Sequence, residues 1–437
     1  MYAKFSAFMI GLALAASSMA SPLIQHWQTP NGAQVLFVED HDLPMLDLAV
    51  NFPAGSARDT AAQSGLASLT HGLLDHGAAG LTEEEIARKL ADVGAQLNGS
   101  FDPDRAAVIL RTLSQPRERN IAVDILARVV QQPTFPAEIL AREKARVIAG
   151  LQEAETKPET LAGKAFQRAV FGAHPYALPT GGEAASVATL QVEDVRTFYR
   201  THYTAGGALV AIMGDVSRSD AEAIARQLTE NLPQGAPVTP LPPVALNIAA
   251  SEQRIDHPAK QSHLLLGAPG MARTDPDYFA LYVGNYILGG GGFVSRLMHE
   301  VREQRGLAYS VYSYFMPMQQ AGAFQIGLQT RNDQAEQALQ LVRSVLSDFV
   351  THGPTARELT AAKQNIIGGF PLRIDSNRKI LDYLCVIGFY QLPLTYLDDF
   401  TTRVERVSVS DIRAAFARRI NPQALATVVV GGTGAAK

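Results

Sequence analysis

A helix-then-strand plan is written twice in this chain. Residues 192–216, VEDVRTFYRTHYTAGGALVAIMGDV, read as a helix followed by a buried strand, and residues 409–432, VSDIRAAFARRINPQALATVVVGG, repeat the order. Val192 recurs as Val409, Asp194 as Asp411 and Gly214 as Gly431, each 217 positions on. One constant offset across three landmarks marks an internal duplication, so the expected fold is two α+β halves of like design. Between them Pro233, Pro237, Pro240, Pro242 and Pro243 crowd residues 231–244. Such spacing cannot run as helix or central strand and extends as a semi-rigid linker. The expected division is a leader over 1–20, a first half over 21–232, the linker over 233–244 and a second half over 245–437.

Within the first half, Gln34–Glu39 and Leu46–Phe52 read as strands around the turn-prone His41-Asp42-Leu43-Pro44. Ser64–Leu74 is apolar at helical intervals. Thr82 with Glu85 forms a capping box whose helix presents Ile86, Leu90, Val93 and Leu97 on one face. Ala106–Leu113 is a strand, and helices are expected over 118–131, 137–156 and 159–170.

The chain has 437 residues, 47% hydrophobic and 18% charged, which is ordinary globular composition for several domains. A net charge of −4 offers nothing to nucleic acid or to an anionic membrane. Cys385 is the only cysteine, so intrachain disulfides and thiolate metal clusters are excluded. It lies in an apolar run and reads as a core residue. At the start, Lys4, the apolar run Phe5–Ala16 and Ser18-Met19-Ala20 have the form of a secretory leader with a small-x-small cleavage site. The run is shorter than the ~20 residues of a membrane span, no arginine precedes Arg58, and no cysteine follows the cleavage site. The expectation is a secreted protein without a membrane anchor, placed in a bacterial periplasm.

Residues 286–315, YILGGGGFVSRLMHEVREQRGLAYSVYSYF, carry the most distinctive wording. Gly289, Gly290, Gly291 and Gly292 make a backbone that other chains can approach closely. A helix is expected next, with Val294, Leu297, Val301 and Leu307 on its apolar side, and then a strand over Ala308–Phe315. The glycines lack the lysine and Ser/Thr of a phosphate loop, and no G-x-S-x-G elbow occurs. The stretch resembles the second half of the M16 (pitrilysin-like) zinc metallopeptidases, especially the bacterial and mitochondrial-processing-peptidase branch. The resemblance covers essentially the whole mature chain. It implies two α/β-sandwich halves closing as a clamshell around a peptide. It also implies that Arg302 and Tyr309, seven residues apart, reach a peptide held at a zinc site.

The family's zinc site is an inverted motif, H-x-x-E-H, on a helix of the first half. Histidines at i and i+4 share a helix face and bind the metal, and the glutamate handles the water proton. The matching stretch here is GLASLTHGLLDHG, residues 65–77. Ser68 replaces the first histidine, His71 the glutamate and Gly72 the second histidine. The further glutamate ligand is due near Val147–Leu151, which holds no acid, although Glu153 and Glu155 follow. His71 and Asp75, at i and i+4, remain the one pair able to share an ion; otherwise His71, Asp75 and His76 read as solvated or capping residues. His174-Pro175-Tyr176 and His202 read as structural.

The resemblance therefore implies a non-catalytic subunit of a two-chain peptidase. Zinc and H-x-x-E-H would reside in a homologous partner. This chain would bind no cofactor and would supply Arg302 and Tyr309 to the partner's site, with Gly289–Gly292 touching the peptide or governing its entry. The alternative is a peptide-binding or scaffold protein with no proteolytic role.

Overall fold

A computed structural model describes residues 22–432, so the expected leader lies outside the described residues. The first half builds its sheet from β1 (Gln25–Gln28), β2 (Gln34–Glu39), β3 (Met45–Phe52), β4 (Gln96–Phe101), β5 (Ala106–Leu113) and β6 (Leu209–Gly214). Their spatial order is β1-β2-β6-β3-β5-β4. The second half uses β7 (Ser251–Asp256), β8 (Gln261–Pro269), β9 (Val311–Phe315), β10 (Ala323–Arg331) and β11 (Ala426–Gly431), in the order β7-β11-β8-β10-β9.

The duplication reaches down to strand register. In the parallel pair β2–β6, Gln34 faces Leu209; in β7–β11, Ser251 faces Ala426, both members 217 positions on. Likewise Met45 faces Leu113 in β3–β5, and Ser262 faces Thr330 in β8–β10. The helices Val192–His202 and Val409–Arg419 keep the same offset at both ends. At each start an aspartate three residues on accepts the N-cap amide, Asp194 from Gln191 at 2.8 Å and Asp411 from Ser408 at 2.9 Å, so one local closure of a helix start is used twice.

Strand β3 is buried along nearly its whole length because both of its faces are covered. Leu46, Leu48 and Val50 point into a core shared with the helices Leu66–Gly72, Pro116–Gln131 and Val192–His202. Ala49 points the other way, into the core of the second half. There the helix Asn377–Phe389 lies on β6 and β3. Asn51 donates to the Cys385 sulfur at 3.3 Å, and a Cβ on Gly388 would stand 2.5 Å from Leu209. Reciprocally, the helix Pro158–Phe171 of the first half lies on β8 and β11, where Phe166 fills the space a Cβ on Gly267 would need. Each half thus lends a helix to the other's sheet. Cys385 is a core residue, its thiol pushed up to about 11 by burial.

The linker is irregular between the helix ending at Thr229 and β7, as its prolines demand. It is also anchored. Leu241 and Val244 are buried beside Phe166 and Tyr176, and Arg58 donates to the Thr239 carbonyl at 2.6 Å.

Two expectations near the glycine run need correction. The helix after it is only a short, wide-wound segment, Met298–Glu303, because a tight turn over Gly292–Val294 delays its start and leaves Val294 exposed. The strand begins at Val311 rather than Ala308, so Tyr309 stands outside the sheet. Strands β1 and β4 were not anticipated; β4, QLNGSF, lies at a sheet edge and has almost no buried residues to signal it.

Candidate functional site

The glycine run closes the edge of β9. The helix Tyr278–Asn285 passes into a wide turn, Tyr286–Gly290, laid along that strand. Asn285 fastens it by donating to the Ser313 carbonyl at 3.1 Å and accepting from the Ser313 hydroxyl at 2.7 Å. A Cβ on Gly289 would stand 2.6 Å from the Ser313 amide nitrogen, so only glycine lets the turn approach this closely. Gly292 has φ +61° and nothing within 4 Å of a notional Cβ; it is needed for the turn and stays open to solvent. Gly291 is partly covered, against Tyr286, and Gly290 is exposed.

Arg302 and Tyr309 come together beside this turn. The Arg302 guanidinium carbon lies 5.1 Å from the centre of the Tyr309 ring and 4.8 Å from that of Phe293. The cation is held between two aromatic faces, an attraction of about 0.5–1 kcal/mol per ring at an exposed site. Both rings are turned outward, Phe293 67% exposed and Tyr309 85%. The acids next to Arg302 in sequence are engaged elsewhere: Glu300 with Arg305, Glu303 with His299. Among the described residues no carboxylate pairs with Arg302, so its N–H groups are free to donate. Gly289, Gly290, Gly292, Phe293, Arg302 and Tyr309 line one recess of about 340 Å³; Gly291 does not reach it.

The degenerate metal helix, Leu66–Gly72, lines a different cavity. Its start is held by Asp59, whose carboxylate accepts from the Gly65 and Ala67 amides at 2.7 and 2.8 Å. Burial pushes that carboxyl up to about 6 despite the two bonds. His71 is not solvated as expected. Its ring stacks on Phe101 with centroids 5.6 Å apart, and its Nε2 lies 2.6 Å from where a Cβ on Gly99 would stand. Its Nδ1 is buried without a partner among the described residues, and burial brings its pKa down to about 4. The helix ends at Gly72, so Asp75 does not follow His71 on a regular helix face as an i, i+4 pair would. His76 instead meets Glu83 at 3.0 Å and Arg142 at 3.1 Å. Glu153 and Glu155 are paired with Lys157 and Lys164. Ser68, a buried neutral imidazole and a residue without a side chain do not make a zinc-holding set. Among the described residues no three His, Cys, Asp or Glu side chains cluster as a metal site.

Phe293 and Asn285 were not anticipated. The only sequence hint of Phe293 was its place directly after the glycines, where a large apolar residue has no helix face to join.

A duplicated two-half fold with reciprocal helices, an arginine–tyrosine recess in its second half and a metal helix stripped of ligands in its first defines a peptidase-like chain of degenerate metal motif. Residues 34–184 match the sequence model described as insulinase (peptidase family M16), and residues 189–366 the one described as the peptidase M16 inactive domain. The chain belongs to the M16 family. A solved structure of a peptidase M16 inactive domain from Pseudomonas fluorescens superimposes with a TM-score of 0.91 at 41% identity, covering 95% of this chain and 99% of that one. A non-peptidase homolog from Helicobacter pylori is 26% identical over 405 residues, 92% of this chain and 91% of its own. An uncharacterized zinc protease from Streptomyces coelicolor is 27% identical over 369 residues, covering 82% and 79%.

Proposed function

We propose that this chain is the non-catalytic member of a two-chain M16 peptidase of the bacterial periplasm. Its partner is a homologous chain carrying H-x-x-E-H and the zinc. Arg302 donates to the carbonyl of a bound peptide, and the Tyr309 hydroxyl donates beside it, steadying the charge that develops as the partner's site attacks. Gly290 and Gly292 keep the backbone low so that the peptide passes over the recess.

One observation carries this reading: Arg302, which no carboxylate among the described residues pairs, is clamped by Phe293 and Tyr309 and lines a recess. A surface arginine with only a structural task is more simply met by the glutamates beside it, and here both are taken. The names of the relatives, an inactive domain and a non-peptidase homolog, agree with a chain that does not cut alone.

The test is affinity capture of the tagged mature protein from its own periplasm, with partners identified by mass spectrometry and zinc measured in each chain. A co-purifying chain of similar size carrying H-x-x-E-H and the zinc supports the proposal. Recovery of this chain alone, or with zinc bound stoichiometrically to it, overturns the proposal.

A further inference from the structure

The duplication breaks down at one sheet edge. In the first half β1 pairs antiparallel with β2, Gln25–Gln28 against Phe37–Gln34, and closes its outer side. The counterpart of β2 in the second half is β7, and among the described residues no strand takes the place of β1: β7 pairs with β11 alone and ends the sheet. The Ser251 and His257 amides donate inward, to the Leu425 and Gly431 carbonyls at the two ends of β11. By the alternation of a strand, the amides and carbonyls of Glu252, Arg254 and Asp256 point outward, without a backbone partner among the described residues. The strand, SEQRID, has neither proline nor glycine, and only Ile255 is partly covered. Such an edge is a template for another strand. Glu252, Arg254 and Asp256 share one face, on which Glu252 meets Arg343 and Arg254 meets Glu336 of the helix Ala335–His352. Asp256 is exposed and has no ion-pair partner among the described residues. A recess of about 530 Å³, with Arg343 on its wall, opens beside Ala250, Ser251 and Glu252.

We propose that β7 is a docking edge for a second copy of this chain, the two β7 strands pairing antiparallel about a twofold axis. The order of charges along the strand selects both the occupant and the register. With Gln253 of one copy facing Gln253 of the other on the axis, Glu252 of each faces Arg254 of the other, Ser251 faces Ile255, and Ala250 faces Asp256. Moving the axis by one residue gives the nearest registers that keep outward groups face to face. These set Arg254 against Arg254 or Glu252 against Glu252, and like charges directly opposite are unfavourable. The strand is thus complementary to itself in one register. That register also brings Asp256 of one copy to the start of β7 in the other, beside the recess that Arg343 lines. β7 lies at the opposite edge of its sheet from β9, which carries the recess over Arg302. The contact leaves that recess open and holds whether or not Arg302 serves a peptidase partner.

The test is sedimentation velocity on the isolated mature chain over about 1–200 µM, the range of a small interface. Wild type should pass from monomer to dimer. Arg254→Glu places two acids at the facing positions and Glu252→Arg two bases, so each variant alone should dimerise about tenfold more weakly or worse. Mixed one to one, each variant supplies the other's counter-charge, and the mixture should dimerise about as strongly as wild type. Both positions are exposed, and recovery in the mixture shows that neither variant has lost its fold. Hydrogen exchange at the Glu252, Arg254 and Asp256 amides should slow only at concentrations where the dimer forms. A wild-type chain that stays monomeric, a dimer indifferent to both substitutions, or a mixture no stronger than either variant alone overturns the proposal. Slow exchange at those amides in the monomer, the mark of an edge covered from within the chain, overturns it as well.

Discussion

The phenol of Tyr390, in the second half, donates a hydrogen bond of 2.9 Å to Oδ2 of Asp104, in the first, across 286 positions of sequence. Oδ2 also accepts the Gln319 amide at 2.7 Å, and Oδ1 takes the Tyr176 hydroxyl at 2.5 Å. Burial pushes the Asp104 carboxyl up, and the three donors work against that shift. One buried carboxylate in the β4–β5 turn of the first half therefore holds a helix end and a loop of the second.

Removing that acceptor strands two phenols and an amide. Asp104→Ala should destabilise the chain by about 3 kcal/mol, and Tyr390→Phe by about 1 kcal/mol. Urea unfolding followed by circular dichroism measures both. Losses below about 0.5 kcal/mol, the range of an ordinary surface change, would remove Asp104 from its place as the tie between halves.

Asp59 and His71 sit at opposite ends of the degenerate helix and titrate with opposite signs. The Asp59 carboxyl is raised to about 6, so the stability it gives is full below the ordinary aspartate range and is lost as pH rises through 6. His71 is lowered to about 4, so its contribution is full above pH 6.5 and is lost as pH falls through 4. Each amounts to about 3 kcal/mol across its window. Relative to wild type, His71→Leu should lose stability as pH rises from 4 to 6, and Asp59→Asn should gain it. Parallel pH profiles for all three proteins would contradict this.

Gly289 and Gly72 are not equivalent glycines. Gly289→Ala drives a methyl against the Ser313 amide and should cost about 1–3 kcal/mol. Gly72→Ala, at a helix end where a Cβ meets nothing, should lie within about 0.5 kcal/mol of wild type. Thermal unfolding distinguishes them, and equal melting temperatures would show that the turn is not held against β9 by close contact.

The duplication is legible because its landmarks recur at one offset, and that offset survives in the register of both sheets. Arg302 and Tyr309 were singled out by resemblance alone; local pattern reads them as a helix-surface arginine and a strand tyrosine. Phe293 as the second face of the Arg302 clamp, and Tyr390 as a ligand of Asp104, depend on how the chain folds back on itself, and no local spacing encodes that. The burial of His71 escaped for a similar reason: it is made by Gly99, whose missing side chain admits the ring. The degenerate zinc motif was plain from residue types, while the early end of the helix at Gly72, which takes Asp75 off the helix that carries His71, was not.

The most direct measurement is peptide cleavage by this chain reconstituted with the zinc-bearing partner proposed for it, comparing wild type with Arg302→Ala and Tyr309→Phe. Loss of one well-placed donor to a developing charge costs on the order of 100-fold in turnover. The account predicts a drop on that scale for Arg302→Ala and a smaller one for Tyr309→Phe, with assembly of the pair unchanged by size-exclusion chromatography. Full activity in both assembled variants would contradict it.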